Sequence, residues 1–186
     1  MTKVFVLNCY PRQGKDHLAR FLKQECGYHH FEFKSRLFDL ALEISDVEWD
    51  EWFLRYETMK ELPWGKLGGL SQREFLIKIS EEWVKPVFGK RYFGERLAAS
   101  IERSGCKVAV VSDGGFMDEL IPLYDKFGQE NVYICQWNKD NPDAFKGDSR
   151  SWITEGNIVM LPDNDGKDKD WVWKCRAIIE GIVDGV

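Results

Sequence analysis

Short apolar runs punctuate this chain at wide intervals, and helical patterns fill the stretches between them. Lys3 to Asn8, Lys107 to Ser112 and Val132 to Trp137 are brief, apolar and β-branched, the pattern of strands buried in a parallel sheet. Asn157 to Leu161 reads as a fourth strand and Tyr28 to Phe33 as a further short one. In Lys15 to Cys26 the apolar positions Leu18, Phe21 and Leu22 fall on one helical face, with Gly27 as a stop signal. Gln72 to Val87 repeats the pattern through Phe75, Leu76, Ile79 and Trp83, and Phe93 to Ile101, Met117 to Phe127 and Asp168 to Ile182 also read as helices. Strands alternating with helices predict an α/β layer fold around a mainly parallel sheet.

The spacing adds detail. A mostly helical insertion, residues 34–105, separates the first strand–helix unit from the strand at Lys107, far beyond an ordinary connection. Residues 138–156 are polar and rich in Asp, Asn, Gly and Ser, as lids and binding loops are. No internal repeat or low-complexity tract is present, so residues 1–186 read as a single domain.

Composition narrows the function classes. The 186 residues are 44% hydrophobic and 31% charged, a globular balance with enough apolar material for a core. A formal charge of −5 argues against a dedicated nucleic-acid binder, which carries a basic footprint. The five cysteines and three histidines form no CxxC or HExxH pattern, which leaves structural zinc without support. An odd cysteine count reads as reduced thiols. No apolar run reaches the roughly 18 residues needed to cross a bilayer. Met1-Thr2-Lys3 followed by Val4 to Leu7 is too short for a signal peptide. The expectation is a soluble cytoplasmic protein.

The strongest chemical signal is the first strand with the loop after it, Lys3 to Asp16, in which Gly14-Lys15 opens a helix. A polyphosphate requires this combination. Successive backbone N–H groups surround its oxygens, the helix N-terminus adds partial positive charge, and a lysine reaches the β and γ phosphates. Gly14 permits close backbone approach. The pattern G-x-x-x-x-G-K-[ST] is met in part: Cys9 stands at the first glycine and Asp16 at the hydroxyl residue. A carboxylate at position 16 retains the ability to hold Mg²⁺.

Gly14-Lys15-Asp16 in this setting resembles the bacteriophage deoxynucleoside monophosphate kinases, whose loop ends in Gly-Lys-Asp, an ending also found in animal-type phosphomevalonate kinases. The likeness continues in order along the chain. Lys60 to Pro63 and Leu67 to Leu76 resemble the family's Lys-Glu…Pro segment and its following helix start; Val110 to Asp113 resembles its Val-Ser-Asp strand end. Asp148 to Glu155 resembles its lid, and Asn164-Asp165-Gly166 a late turn near the adenine. The resemblance implies a three-layer P-loop kinase fold with a central, mostly parallel five-stranded sheet, residues 34–105 as acceptor-binding insertion and residues 138–156 as lid. It implies transfer of phosphoryl from ATP, with Mg²⁺, to a deoxynucleoside monophosphate, in the host cytoplasm if phage-encoded. Its partners are then small-molecule nucleotide substrates, with no membrane and no stable nucleic-acid binding, and a homodimer stays open. A P-loop kinase of another phosphorylated small molecule or of a modified DNA base, and a degenerate nucleotide binder without turnover, are the alternatives.

The remaining candidates take their roles from that resemblance. Arg12, Gln13, Gly14, Lys15, Asp16 and His17 would hold ATP, with Asn164 and Gly166 at the adenine or in a plain turn. Lys15, Arg73, Asp113 and Arg150 would carry catalysis, Lys34, Arg36, Arg73 and Asp113 the acceptor, and Asp16 with Asp113 the Mg²⁺. Asp113 has a competing reading as a cap for the helix after Gly114-Gly115, and Arg73 as a solvated first-turn residue. Gly115 replaces a family arginine, and Gln136-Trp137 stands where the family tends to carry arginine, so either Arg150 of the lid supplies the cation or catalysis is weakened; Lys139, Lys146 and Arg150 are the lid residues that would close over the phosphates. Trp137 reads as core or as a base-stacking platform, and Trp49, Trp52 and Trp64, with Phe53 and Tyr56, as packing within the insertion or as an aromatic acceptor pocket.

Overall fold

In a computed structural model, residues 1–185 are described. Five strands form one sheet in the order β2-β3-β1-β4-β5. They are β1 (Lys3–Leu7), β2 (His29–Phe31), β3 (Val108–Val111), β4 (Val132–Gln136) and β5 (Asn157–Met160). Every pairing is parallel, with Phe5 opposite Val110 on one side and Tyr133 on the other. The α/β expectation with a central five-stranded sheet is met, and the sheet is wholly rather than mostly parallel.

Period-two alternation along β1 divides the core into two layers. Phe5 and Leu7 face α1 (Lys15–Cys26) and the last helix, together with Leu18, Leu22, Trp171 and Ile179. Val4 and Val6 face the opposite layer, with Leu97, Ile101, Leu120 and Leu123. Covering both faces explains why the central strands read as continuous apolar runs.

Helix boundaries follow local chemistry. α1 spans the predicted residues, opening at Gly14 and closing at Gly27, both in left-handed conformation. The insertion is helical as expected: α2 (Lys34–Ser45), α3 (Trp49–Met59), a 3-10 turn at Gly65–Leu67, α4 (Gln72–Ile77), α5 (Lys85–Phe88) and α6 (Tyr92–Ser104). A capping box starts α4: Glu74 N donates to Ser71 Oγ at 3.2 Å, and Ser71 N to Glu74 Oε2 at 2.8 Å. The single helix expected over Gln72 to Val87 instead widens into a π-helical stretch, Lys78–Val84, between α4 and α5. Trp52 is fully buried there among Phe38, Phe75 and Trp64, as packing predicts, while Trp49 is exposed.

α7 (Met117–Phe127) matches its expected span. The last helix, α8 (Trp171–Asp184), starts later than Asp168 because two aspartates hold a turn there. Asp165 Oδ1 accepts from Lys167 N and Asp168 N, and Asp168 Oδ1 from Asp170 N. The cysteines are free thiols, and no helix among the described residues is long and apolar enough to cross a membrane.

Candidate phosphate-binding site

In this strand order the chain leaves β1 towards one side of the sheet and later crosses to the other. The carboxyl ends of β1 and β3 therefore flank the topological switch point, where open α/β sheets bind ligands. The loop after β1 and Asp113 after β3 both lie at that edge. Arg12 (φ 65°) and Gly14 (φ 84°) adopt left-handed conformations and turn the loop's amides inward. Among the described residues, the N–H groups of Arg12 to Asp16 have no protein acceptor. Amides grouped in this way are the arrangement an anion can occupy.

Lys15 is 8% exposed and arches back over the loop, donating to the carbonyls of Cys9 at 2.6 Å and Tyr10 at 2.8 Å. Burial, aided by repulsion from Arg150, lowers its pKa to about 8. Cys9 does not obstruct the loop. Its side chain is buried, its Sγ donates to the Trp137 carbonyl at 3.2 Å, and burial pushes the thiol up to about 11. A small side chain thus replaces the first glycine by pointing into the core. Trp137 is fully buried and braces the loop through Nε1 to the Gln13 carbonyl at 3.1 Å, so it belongs to the core and not to a base platform.

Asn164 also braces this loop. Its Nδ2 donates to the Gln13 carbonyl at 3.2 Å, and a β-carbon at Gly14 would stand 2.9 Å from that nitrogen. Gly166 N donates to Asn164 Oδ1 at 3.0 Å, which closes the turn, and Asn138 ties Asn164 to the Gln13 side chain. Asn164 and Gly166 therefore stand against the loop. His17 is exposed on α1.

Beyond the loop opens a cavity of about 670 Å³ between the sheet edge, the insertion and the lid. Arg12, Lys15, Asp16, Lys34, Arg73, Asp113 and Arg150 all line it, although they come from five separate segments. Arg73, half-exposed, pairs with Glu61 at 3.3 Å. Lys34 pairs with Glu32 at 2.9 Å; burial works to lower its pKa, but Asp113 and Glu32 outweigh this and hold it up.

Two of the candidates stand differently from the rest. Arg36 does not line the cavity; its guanidinium faces Asp39 at 3.7 Å and engages Tyr92. Helical periodicity is the reason: Lys34, Leu37 and Phe38 share the cavity face of α2, and position 36 falls off it. Asp113 caps a helix, but a different one from that considered in the sequence. Its Oδ1 accepts from Phe33 N at 2.8 Å and its Oδ2 from Lys34 N at 3.0 Å, which anchors the start of α2. Burial raises its pKa against the opposing charge of Lys34.

No group of three or more His, Cys, Asp or Glu side chains among the described residues is placed to hold a metal. Mg²⁺ needs only one or two carboxylates when phosphates complete its shell. The Asp16 carboxylate, exposed and without a protein donor among the described residues, fits that requirement. Both Asp113 oxygens already accept amides, so it fits less well as a direct ligand.

Arg150 of the lid is held in a fork by Asp148, Nε to Oδ1 at 2.9 Å and Nη2 to Oδ2 at 2.7 Å. The lid's far end is pinned to the sheet edge. Asn8 Nδ2 donates to the Ser151 carbonyl, and Asn8 Oδ1 accepts from Ile153 N and from Gln136 Nε2. Gln136 also donates to the Ile153 carbonyl at 2.8 Å, so it secures the lid where the resembled family tends to carry arginine. Lys146 is 80% exposed and paired with Asp143, outside the cavity wall, and Lys139 lies over the Trp152 ring at 5.6 Å.

Two cavity residues that escaped the sequence reading are Phe116 and Glu119. Glu119 left a trace. It lies four residues before Leu123, on the buried face of an amphipathic helix where a carboxylate is out of place.

The described residues thus form a wholly parallel α/β sheet with helices on both faces and a loop of unengaged amides at its switch point. No family model and no curated protein sequence matches this chain. Among solved structures, a dephospho-CoA kinase from Campylobacter jejuni is similar, with a TM-score of 0.48 and 12% identity, over 100% of this chain and 99% of that one. At that identity no residue role is carried over from it.

Proposed function

We propose that this protein transfers the γ-phosphoryl group of ATP to a deoxynucleoside monophosphate, giving the diphosphate. The observation that carries this reading is the row of unengaged amides from Arg12 to Asp16, beside Lys15, opening on the same cavity as Arg73 and Arg150. The first N–H groups of a helix need a cap, water or an anion, and with no capping side chain at Gly14 these stay open to phosphate oxygens.

In this reading the amides of Arg12 to Lys15 hold the β and γ phosphates. The Lys15 ammonium leaves the Cys9 and Tyr10 carbonyls for the γ oxygens. Asp16 would hold Mg²⁺, which supplies charge neutralisation between the phosphates. Arg73 and Arg150 approach from the acceptor side and the lid, where planar guanidinium groups suit phosphate oxygens. Asp113 acts by fixing the start of α2 and so the position of Lys34. Such transfer rests on positioning and electrostatics, with little covalent work by the protein.

The aromatic and apolar walls of the cavity, Phe33, Phe38, Tyr56 and Phe116, favour an acceptor with a flat ring, which supports a nucleotide. An ADP-release assay with ATP, Mg²⁺ and each of the four deoxynucleoside monophosphates tests the reading. Turnover with at least one, abolished by Lys15→Ala, is expected. ATP binding without turnover of any of them sinks it.

A further inference from the structure

We propose that Glu119 determines what the acceptor carries at the end remote from its phosphate: a neutral edge with adjacent hydrogen-bond donor and acceptor atoms, as on a nucleobase, and not a carboxylate. This deepens the reading above and rests on it.

Glu119 sits in the first turn of α7 and is 7% exposed. Gly94 brings α6 directly against the Glu119 backbone, and a β-carbon at position 94 would collide with the Glu119 carbonyl. A carboxyl buried to this degree ordinarily has a cation or several donors. Among the described residues, no group donates a hydrogen bond to the Glu119 carboxyl, and no cation forms an ion pair with it. The side chain lines both the main cavity and a smaller neighbour of about 390 Å³, so its unused capacity faces the space open to a ligand.

The cations nearby are already committed. Lys85 Nζ is paired with Glu81 and rests over the Phe116 ring at 5.1 Å, while Arg150 is held by Asp148. Burial, reinforced by the charges of Asp113 and Glu81 and opposed by Lys85 and Arg150, raises the Glu119 pKa to about 8. The group is therefore a carboxylic acid at neutral pH, with an O–H donor beside a C=O acceptor. A lactam or amidine edge of a base closes two hydrogen bonds with that arrangement. A carboxylate-tailed acceptor has no donor for the Glu119 C=O and would bring a second anion towards the Glu81 carboxylate.

The test measures kcat and KM on the full chain with three acceptors. They are the accepted deoxynucleoside monophosphate, its analogue methylated on the donor nitrogen of the pairing edge, and a phosphorylated hydroxy acid. Methylation is expected to raise KM about tenfold, the effect of one buried hydrogen bond left unmade, and the hydroxy acid to remain unphosphorylated. Glu119→Leu should raise KM for the parent acceptor by a similar factor and erase the methylation penalty. Glu119→Gln, which retains adjacent donor and acceptor atoms, should recover most of that loss. ATP affinity serves as the folding control. Equal KM for parent and methylated acceptors, turnover of the hydroxy acid, or an unchanged KM in Glu119→Leu overturns the proposal. If Glu119→Leu does not fold, the methylated pair on the wild-type protein decides alone. Failure of all four monophosphates despite bound ATP overturns the kinase reading, and this one with it.

Discussion

The side-chain stem of Arg150 fills the space above Gly115: its Cβ, Cγ and Cδ stand 2.6, 2.7 and 2.9 Å from where a β-carbon of residue 115 would lie. Ser151 N donates to the Gly115 carbonyl at 3.3 Å and secures the same contact. The glycine that departs from the resembled family's arginine is therefore the residue that admits a lid arginine.

Gly115→Ala is expected to displace the lid and lower kcat at least about tenfold, since misplacing a positioned group by an ångström can cost about 100-fold. Arg150→Ala should lower kcat by about 100- to 1000-fold, the usual effect of removing a donor to developing charge. ATP affinity, measured by calorimetry, should stay near wild type in both. A full rate in Arg150→Ala would remove this guanidinium from the chemistry.

The Lys15 ammonium has an ordinary pKa of 10.5 that burial lowers to about 8 in the free protein. Its charge is present below that value and lost as pH rises through it. ATP should therefore bind more weakly above about pH 8, and binding there should take up a proton. Calorimetry in buffers of different ionisation enthalpy reads that proton directly. Lys15→Met should remove the pH dependence along with most of the affinity.

Asp113→Ala leaves the amides of Phe33 and Lys34 without acceptors at the start of α2. Losing such a cap should cost about 1–2 kcal/mol, read as a shift in urea midpoint. Because Lys34 begins α2, acceptor KM should rise while ATP affinity holds. A drop in Mg²⁺ affinity with no loss of stability would instead make Asp113 a metal ligand.

The Arg150 fork holds the Asp148 carboxyl down to about 2 from an ordinary 3.8. A depressed carboxylate stabilises the fold above its unfolded value and loses that contribution as pH falls through the folded one. The difference in urea midpoint between wild type and Asp148→Asn should thus be constant above about pH 4 and shrink towards pH 2. A difference that persists unchanged at the lower pH would count against the ion pair as its source.

Reading the chain alone located the parts whose chemistry is local. The bounds of α1 and α7 were legible because an amphipathic stripe and glycine stops lie within each segment. The loop after β1 was legible because strand, turn and Gly-Lys are consecutive. Arg36 was misplaced because a two-residue offset from Lys34 turns it by more than half a helical circuit. The contacts of Asp113 with Phe33 and Lys34 were not legible because those partners are about 80 positions away, and a local pattern holds no record of them.

The order of residues by itself determined the buried parallel strands, the helices between them and the turn at Gly14-Lys15 that opens α1. Each arises from hydrophobic period and backbone preference over a dozen residues or fewer. Only the tertiary structure decided that Cys9 points inward, that Arg150 lies over Gly115, and that Glu119 faces a cavity without a partner. Those facts depend on how distant segments exclude one another from the same volume, and close packing settles that only when the whole chain is in place.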